Sequence, residues 1–119
     1  MAILVKRIYE PAAAQDGFRI LVDRLWPRGI SKERAQLGLW MRDIAPSNEL
    51  RKWFGHEAGK WLEFQERYRA ELATRSDLLD SLLGLEQEHQ VITLLFGARD
   101  EERNQAQVLA QMMKRLRSR

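Results

Sequence analysis

The sequence predicts an α/β fold: one compact domain over residues 1–119, with a small, mostly parallel sheet of three or four strands and helices on both faces. Three observations carry this expectation. Short β-branched and aromatic runs recur at residues 3–10, 18–26 and 91–98. Segments with apolar residues three and four apart lie between and after them. The runs Ile20-Leu21-Val22 and "VITLLFGA" are continuously apolar, as in strands covered on both faces.

"ILVKRIYE" is the first strand, and "PAAAQDG" follows as a loop with Asp16-Gly17 as its turn signal. "FRILVDRLW" is the second strand, stopped by Pro27 and Gly29. Ser31 caps a short helix from Lys32 to about Gln36. Pro46 and Ser47 mark the next helix start, with Glu49 in its first turn and Leu50, Trp53 and Phe54 on one face. Gly55 ends it. A longer helix from about Glu57 to Thr74 carries Trp61, Phe64, Tyr68 and Leu72 as one stripe. Ser76 or Asp77 caps a further helix that buries Leu78, Leu79, Leu82 and Leu83. After the third strand, Asp100 caps a last helix with Val108, Leu109, Met112, Met113 and Leu116 on its inner face. Lys114, Arg115, Arg117 and Arg119 then sit at that helix's negative end. One more short edge strand fits this pattern, and the crossovers are expected to be right-handed.

Composition excludes several classes of function. With 45% hydrophobic and 31% charged residues, the 119-residue chain reads as a soluble globular protein. No apolar run is long enough for a membrane span, and "MAILVKRIYE" reads as a strand and not as a signal peptide. There is no cysteine, which removes disulfides, thiol nucleophiles and cysteine metal sites and fits a cytoplasmic location. Two histidines without helix-face spacing give no metal site. No phosphate-binding glycine loop, dinucleotide fingerprint or nucleophile elbow is present, so no cofactor is expected. The net charge of +3 is too small to establish nucleic-acid binding. Fifteen arginines against five lysines favour forked recognition of carboxylate or phosphate, although a GC-rich coding bias produces the same excess.

The most informative stretch is "LVDRLWPRG". A core strand surfaces there into an acid, two arginines, a tryptophan and a proline. Ligands of open α/β sheets bind beyond the carboxyl ends of the strands. If the second and third strands are parallel neighbours, Arg24, Arg28 and Arg99 converge on one crevice, with Asp23 and Asp100 beside them. A helix N-terminus near Asp100 adds amide donors, Asn104 follows it, and Trp26 offers a stacking face. The same residues equally suit a structural network in which Asp23 and Arg24 pair with Arg99 and Asp100. The tryptophans suit a hydrophobic core as well as a ligand wall. Asp23 and His56 are the acid–base candidates; His56 also fits a cap or surface role, and His89 a solvated loop.

Three motifs in order, "VDRLWPRG", "APSNELRKWFGH" followed by "W..F..RY", and "TLLFGARDEERNQAQVL", resemble the YeaO-like branch of domain-of-unknown-function family 488 (DUF488). The resemblance runs from about Ile3 to Leu109. It implies a compact α/β domain and no particular reaction. Its matched polar and aromatic set is Asp23, Arg24, Trp26, Pro27, Arg28, Ser47, Arg51, Trp53, His56, Arg99, Asp100 and Asn104. The wider family carries a cysteine at the end of the last strand and a Cys-His-Arg cluster on the next helix. This chain has Phe96 or Gly97 and Arg103-Asn104-Gln105 there, so thiol chemistry cannot operate. Related chains often have a histidine where Arg103 stands, which removes a helix histidine from any mechanism.

These observations lead to an arginine-lined pocket for a small anion, a nucleotide or phosphorylated metabolite. Arg24, Trp26, Arg28, Arg99, Asp100 and Asn104 are its expected contacts. Two other readings remain open: a nucleic-acid-binding module, and a non-catalytic protein-interaction or regulatory domain. The chain is expected as a monomer or homodimer.

Overall fold

The computed structural model describes residues 1–118. Four strands form one parallel sheet in the order β1-β4-β2-β3: β1 (Ala2–Arg7), β2 (Phe18–Leu21), β3 (Leu39–Trp40) and β4 (Val91–Phe96). β4 pairs with β1 from Ala2↔Val91 to Arg7↔Phe96, and with β2 from Phe18↔Ile92 to Leu21↔Leu95. β3 adds two residues beside Ile20 and Leu21. The helices are α1 (Lys32–Ala35), α2 (Asn48–Phe54), α3 (Trp61–Ala73), α4 (Ser76–His89) and α5 (Gln105–Arg117). Among the described residues, no helix is long and apolar enough to cross a membrane.

The two sheet faces are covered very differently. Side chains alternate along each strand. Ile92, Leu94 and Phe96 of β4, with Ile3, Ile20 and Val22, join Leu50, Phe64, Tyr68, Leu72, Leu82, Leu109 and Met113 in one core under α2 to α5. The opposite face holds Ile8, Leu21 and Leu95 against Ile30 and Ala35, flanked by Trp26 and Trp40. Its cover is the single turn of α1 and the loops around it, so all the long helices lie on one side.

That thinner side also buries charge. Arg19 is 5% exposed and points away from the main core. Its Nη1 donates to Asp16 Oδ2 at 2.5 Å, and its Nε and Nη2 donate to the Ala35 carbonyl at 3.1 and 2.9 Å. Lys6 Nζ donates to Asp16 Oδ1 at 3.1 Å, and the Ala13 amide to Oδ2 at 3.0 Å. Burial alone would raise the Asp16 pKa, but these donors outweigh it and hold the carboxyl below its ordinary value. Gly17 makes this corner possible: its φ is +64°, and a Cβ there would lie 2.2 Å from the Val91 carbonyl oxygen.

Several boundaries differ from the sequence expectation. The second strand ends at Leu21, because Asp23 turns its side chain to β4 and Pro27 cannot donate to a ladder. The edge strand is β3, two residues long and therefore without a readable alternation. The helix expected from Glu57 begins as a 3-10 turn, Ala58–Lys60, around Gly59, and becomes α-helical only at Trp61. α4 has no side-chain cap; Ser76 is its first residue and not its cap. Asp100 does not cap α5. Asn104 does, accepting from the Gln107 amide at 3.1 Å, while Asp100 Oδ1 closes a tight turn by accepting from the Glu102 and Arg103 amides. Arg119 lies outside the described residues.

Asp16→Ala should leave Arg19 buried without its charge partner, and should cost about 3–5 kcal/mol of unfolding free energy. Urea unfolding of the variant beside the parent measures this.

Candidate functional site

A cleft of about 260 Å³ opens at the carboxyl ends of the strands. Each wall comes from a strand exit or a helix start. Tyr9 follows β1, residues 23–27 follow β2, and Gly97 and Ala98 follow β4. Arg103, Asn104 and Gln105 come from the start of α5. Ala45, Pro46, Arg51, Phe54 and His56 come from α2 and its flanks, and Phe64 from α3.

Asp23 is the acid at the base of this cleft. Its Oδ2 accepts from the Gly97 amide at 2.8 Å, and its Oδ1 accepts from Gln105 Nε2. Its backbone carbonyl accepts from Trp40 Nε1 at 2.7 Å. Burial raises its pKa to about 6, against the opposing pull of those two donors on the carboxylate. Gly97 is required beside it, since a Cβ there would lie 2.9 Å from Oδ2.

Arg24 lines the cleft, yet two of its donors are committed to backbone. Nε donates to the Pro46 carbonyl at 3.0 Å and Nη2 to the Ala45 carbonyl at 3.1 Å. Arg75 Nη1 meets the same Ala45 oxygen at 2.6 Å, and Tyr68 donates to the Ile44 carbonyl at 2.8 Å. Glu71 accepts from the Ser47 amide and hydroxyl at 2.8 and 2.6 Å. These bonds fix the residue 44–47 wall to α3 and to the exit of β2.

Arg51 is different. It lines the cleft, and its Nε is the one buried side-chain nitrogen or oxygen without a hydrogen-bond partner among the described residues. Its Nη2 meets only a long 3.4 Å contact with Asn48 Oδ1.

The structure brings five of the expected site residues into this cleft: Asp23, Arg24, Trp26, His56 and Asn104. It does not bring in Arg28, Arg99 or Asp100. Arg28 and Arg99 are exposed side chains away from the cleft lining. Asp100 pairs with Arg103 at 3.3 Å on the surface, and its amide bonds hold its carboxyl below the ordinary value. Among the described residues no ion pair joins Asp23 or Arg24 to Arg99 or Asp100, so the expected structural network does not form either.

Trp26 has its indole N–H committed to the Ile30 carbonyl at 2.6 Å and stands edge-on to Trp40 at 5.3 Å. Asn104 Nδ2 donates to the Asp100 and Glu101 carbonyls at 2.9 and 3.0 Å, so its amide is committed to the helix cap. His56 is exposed at φ +60°, with its ring 6.1 Å from Phe54. His89 ends α4 instead of lying in a loop, and it stacks on Phe18 at 4.1 Å. Arg51, Arg103, Gln105 and Tyr9 are cleft residues that the expected contact set lacked. The motif "APSNELRKW" held a signal for Arg51, because i, i+3 spacing puts it one turn from Asn48 and on the Ser47 side of the helix. Among the described residues, no group of three His, Asp or Glu is placed to hold a metal.

The parallel sheet with its helices defines an α/β domain, and its crevice lies at the strand exits. More specifically, the chain belongs to the DUF488 family: the family model described as the inactive DUF488-N3 subclade matches residues 2–119. The protein YeaO of Escherichia coli K12 is 45% identical over 116 residues, covering 98% of this chain and all of that protein. Rv3073c of Mycobacterium tuberculosis H37Rv and Mb3100c of Mycobacterium bovis are each 41% identical over 113 residues, covering 93% of this chain and 92% of theirs. No solved structure matches the chain.

Two outcomes follow from this geometry. Arg24→Ala removes two charge-assisted bonds to the 44–47 wall and should cost on the order of 2–3 kcal/mol in unfolding experiments without ligand. Asp23 has its pKa raised on folding, so the native state binds the proton more tightly. Its favourable contribution is full below about pH 4 and disappears as pH rises through 6. The difference is on the order of 3 kcal/mol. In Asp23→Asn this downward slope between pH 4 and 7 should be absent, which paired urea titrations across that range measure.

Proposed function

We propose that this chain is a non-catalytic binding domain whose cleft holds a small anionic molecule. One observation carries the reading: the crevice at the strand carboxyl ends is lined by Arg24, Arg51 and Arg103 and contains no serine, threonine, cysteine or lysine. Guanidinium groups supply forked donors for an anion. Of the groups that can act as nucleophiles, the crevice holds the Asp23 carboxylate, the His56 imidazole and the Tyr9 phenol. That phenol donates to the Arg28 carbonyl at 2.9 Å. The acid–base candidates do not form a pair: Asp23 is bonded to Gly97 and Gln105, while His56 bonds to neither. The description of the matched family as inactive agrees with binding without turnover.

A thermal-shift screen of the pure chain tests this, using phosphate, sulfate, carboxylates, AMP and short oligonucleotides at two salt concentrations. A ligand at about 100 times its dissociation constant adds about 2.7 kcal/mol. For a domain of this size that raises the melting temperature on the order of 10 °C. A selective rise from a small anion is the expected result. A flat screen defeats the reading. A rise confined to oligonucleotides and lost steeply with salt replaces it with nucleic-acid binding.

A further inference from the structure

The charge and shape of the cleft narrow the anion further. We infer that the ligand is a small monocarboxylate carried on an apolar, preferably planar body, gripped by the Arg51 guanidinium. This rests on the cleft being a ligand site, as proposed above.

The first argument is an inventory of charge. Arg24 is committed to two carbonyls, and Arg103 pairs with Asp100 at the surface. Arg51 is left as the cleft guanidinium without an acidic or backbone partner. Nε and Nη2 share one edge of a guanidinium, and that edge matches the two oxygens of a carboxylate. Beside it stand one acid, Asp23, and the Arg24 guanidinium, which keeps its charge but has Nε and Nη2 bonded to carbonyls. A dianionic phosphate would set its second charge against Asp23, and the Nε edge of Arg24 is not free to clasp it.

The second argument is a feature common in phosphate sites that this cleft lacks. Arginine forks bind phosphate as well as carboxylate, but phosphate is commonly also cradled by successive backbone amides, often from glycines. The cleft's one glycine is Gly97, and its amide is already given to Asp23 Oδ2. The third argument is the walls. Leu25, Trp26 and Pro27 face the cleft from the β2 exit, and Phe54 and Phe64 from the helices. A hydrated sugar phosphate gains little from such walls, whereas an aryl or branched alkyl group gains from each. The cleft's volume of about 260 Å³ sets the size. It falls just below the roughly 300–1,000 Å³ of sites for drug-sized ligands, which suits a compact body better than an extended nucleotide.

The experiment is an NMR titration of the full chain at constant ionic strength, following the Gly97 amide and the Trp26 indole resonance. The probes are benzoate, benzamide, acetate, inorganic phosphate and AMP. Benzoate should move both resonances to saturation. Benzamide, its neutral isostere, and acetate, which lacks the apolar body, should each bind at least about tenfold more weakly, as expected for loss of one charge-assisted pair or one buried ring. Arg51→Gln should weaken benzoate by at least about tenfold and Arg51→Lys by less, without lowering the melting temperature. The benzoate–benzamide comparison needs no variant and stands even if Arg51→Gln fails to fold. Benzamide or acetate binding as tightly as benzoate overturns the inference. Saturation by phosphate or AMP with no response to benzoate overturns it while leaving the anion-binding reading intact. No response of either resonance to any probe removes both.

Discussion

The hydrogen bond from the Gly97 amide to the Asp23 carboxylate is the tie on which the carboxyl end of the sheet depends. Asp23 lies two residues past β2, and Gly97 is the first residue after β4. Parallel strands diverge at their exits, because each chain must leave for a crossover. The Asp23 side chain replaces the ladder where it stops. Through its second oxygen it holds Gln105 at the start of α5, and through its carbonyl it holds Trp40 on β3. One residue therefore closes three strands and a helix. Burying that carboxylate is costly, which is why its proton is held to about pH 6. The amide of Gln105 suits both states, since it can present either its NH₂ or its oxygen to the carboxyl group.

A second set of bonds builds the opposite wall. Residues 44–47 present three carbonyls, and the Tyr68, Arg75 and Arg24 side chains satisfy them. Glu71 completes the set by accepting from the amide and hydroxyl of Ser47, which also caps α2. α2 is only seven residues long and would not hold itself. Its position is imposed by these contacts and by burial of Leu50 and Phe54. Arg51 is thus carried to the cleft on a helix held from below.

Much of the fold was legible in the sequence because burial leaves a strong pattern. β4 reads as a strand because Ile92 through Phe96 are all buried, and α3 and α5 read as helices because their buried residues recur every three or four positions. β3 was not legible: two residues carry no period, and its place comes from pairing with Ile20 and Leu21. The N-cap of α5 is not decided by the sequence, because Asp100 and Asn104 are both good cap residues, and only the turn made by Asp100 decides between them. The β2 exit lines the strand-exit cleft, but a run of charges does not say which arginine is free. Arg24 and Arg28 sit four residues apart in the chain, yet one is bonded into a wall and the other lies on the surface. The commitment of Arg24 depends on carbonyls 21 and 22 residues away, which no local pattern encodes.

The two ends of the sheet differ in a way that bears on function. Beside the amino end of β2, Asp16 is met by Lys6, Arg19 and the Ala13 amide, its carbonyl accepts from Thr93 at 2.6 Å, and Arg19 spends its remaining donors on Ala35. That buried polar cluster leaves no side-chain donor or acceptor unsatisfied among the described residues. At the carboxyl end, Arg51 keeps a buried donor unused, and such a donor costs about 1–3 kcal/mol. The same chain therefore satisfies a harder network of three charges at one end and leaves a simpler one open at the other. Stability alone would favour closing both. An unpartnered donor on a residue that lines the strand-exit cleft is the arrangement that the proposed anion would complete.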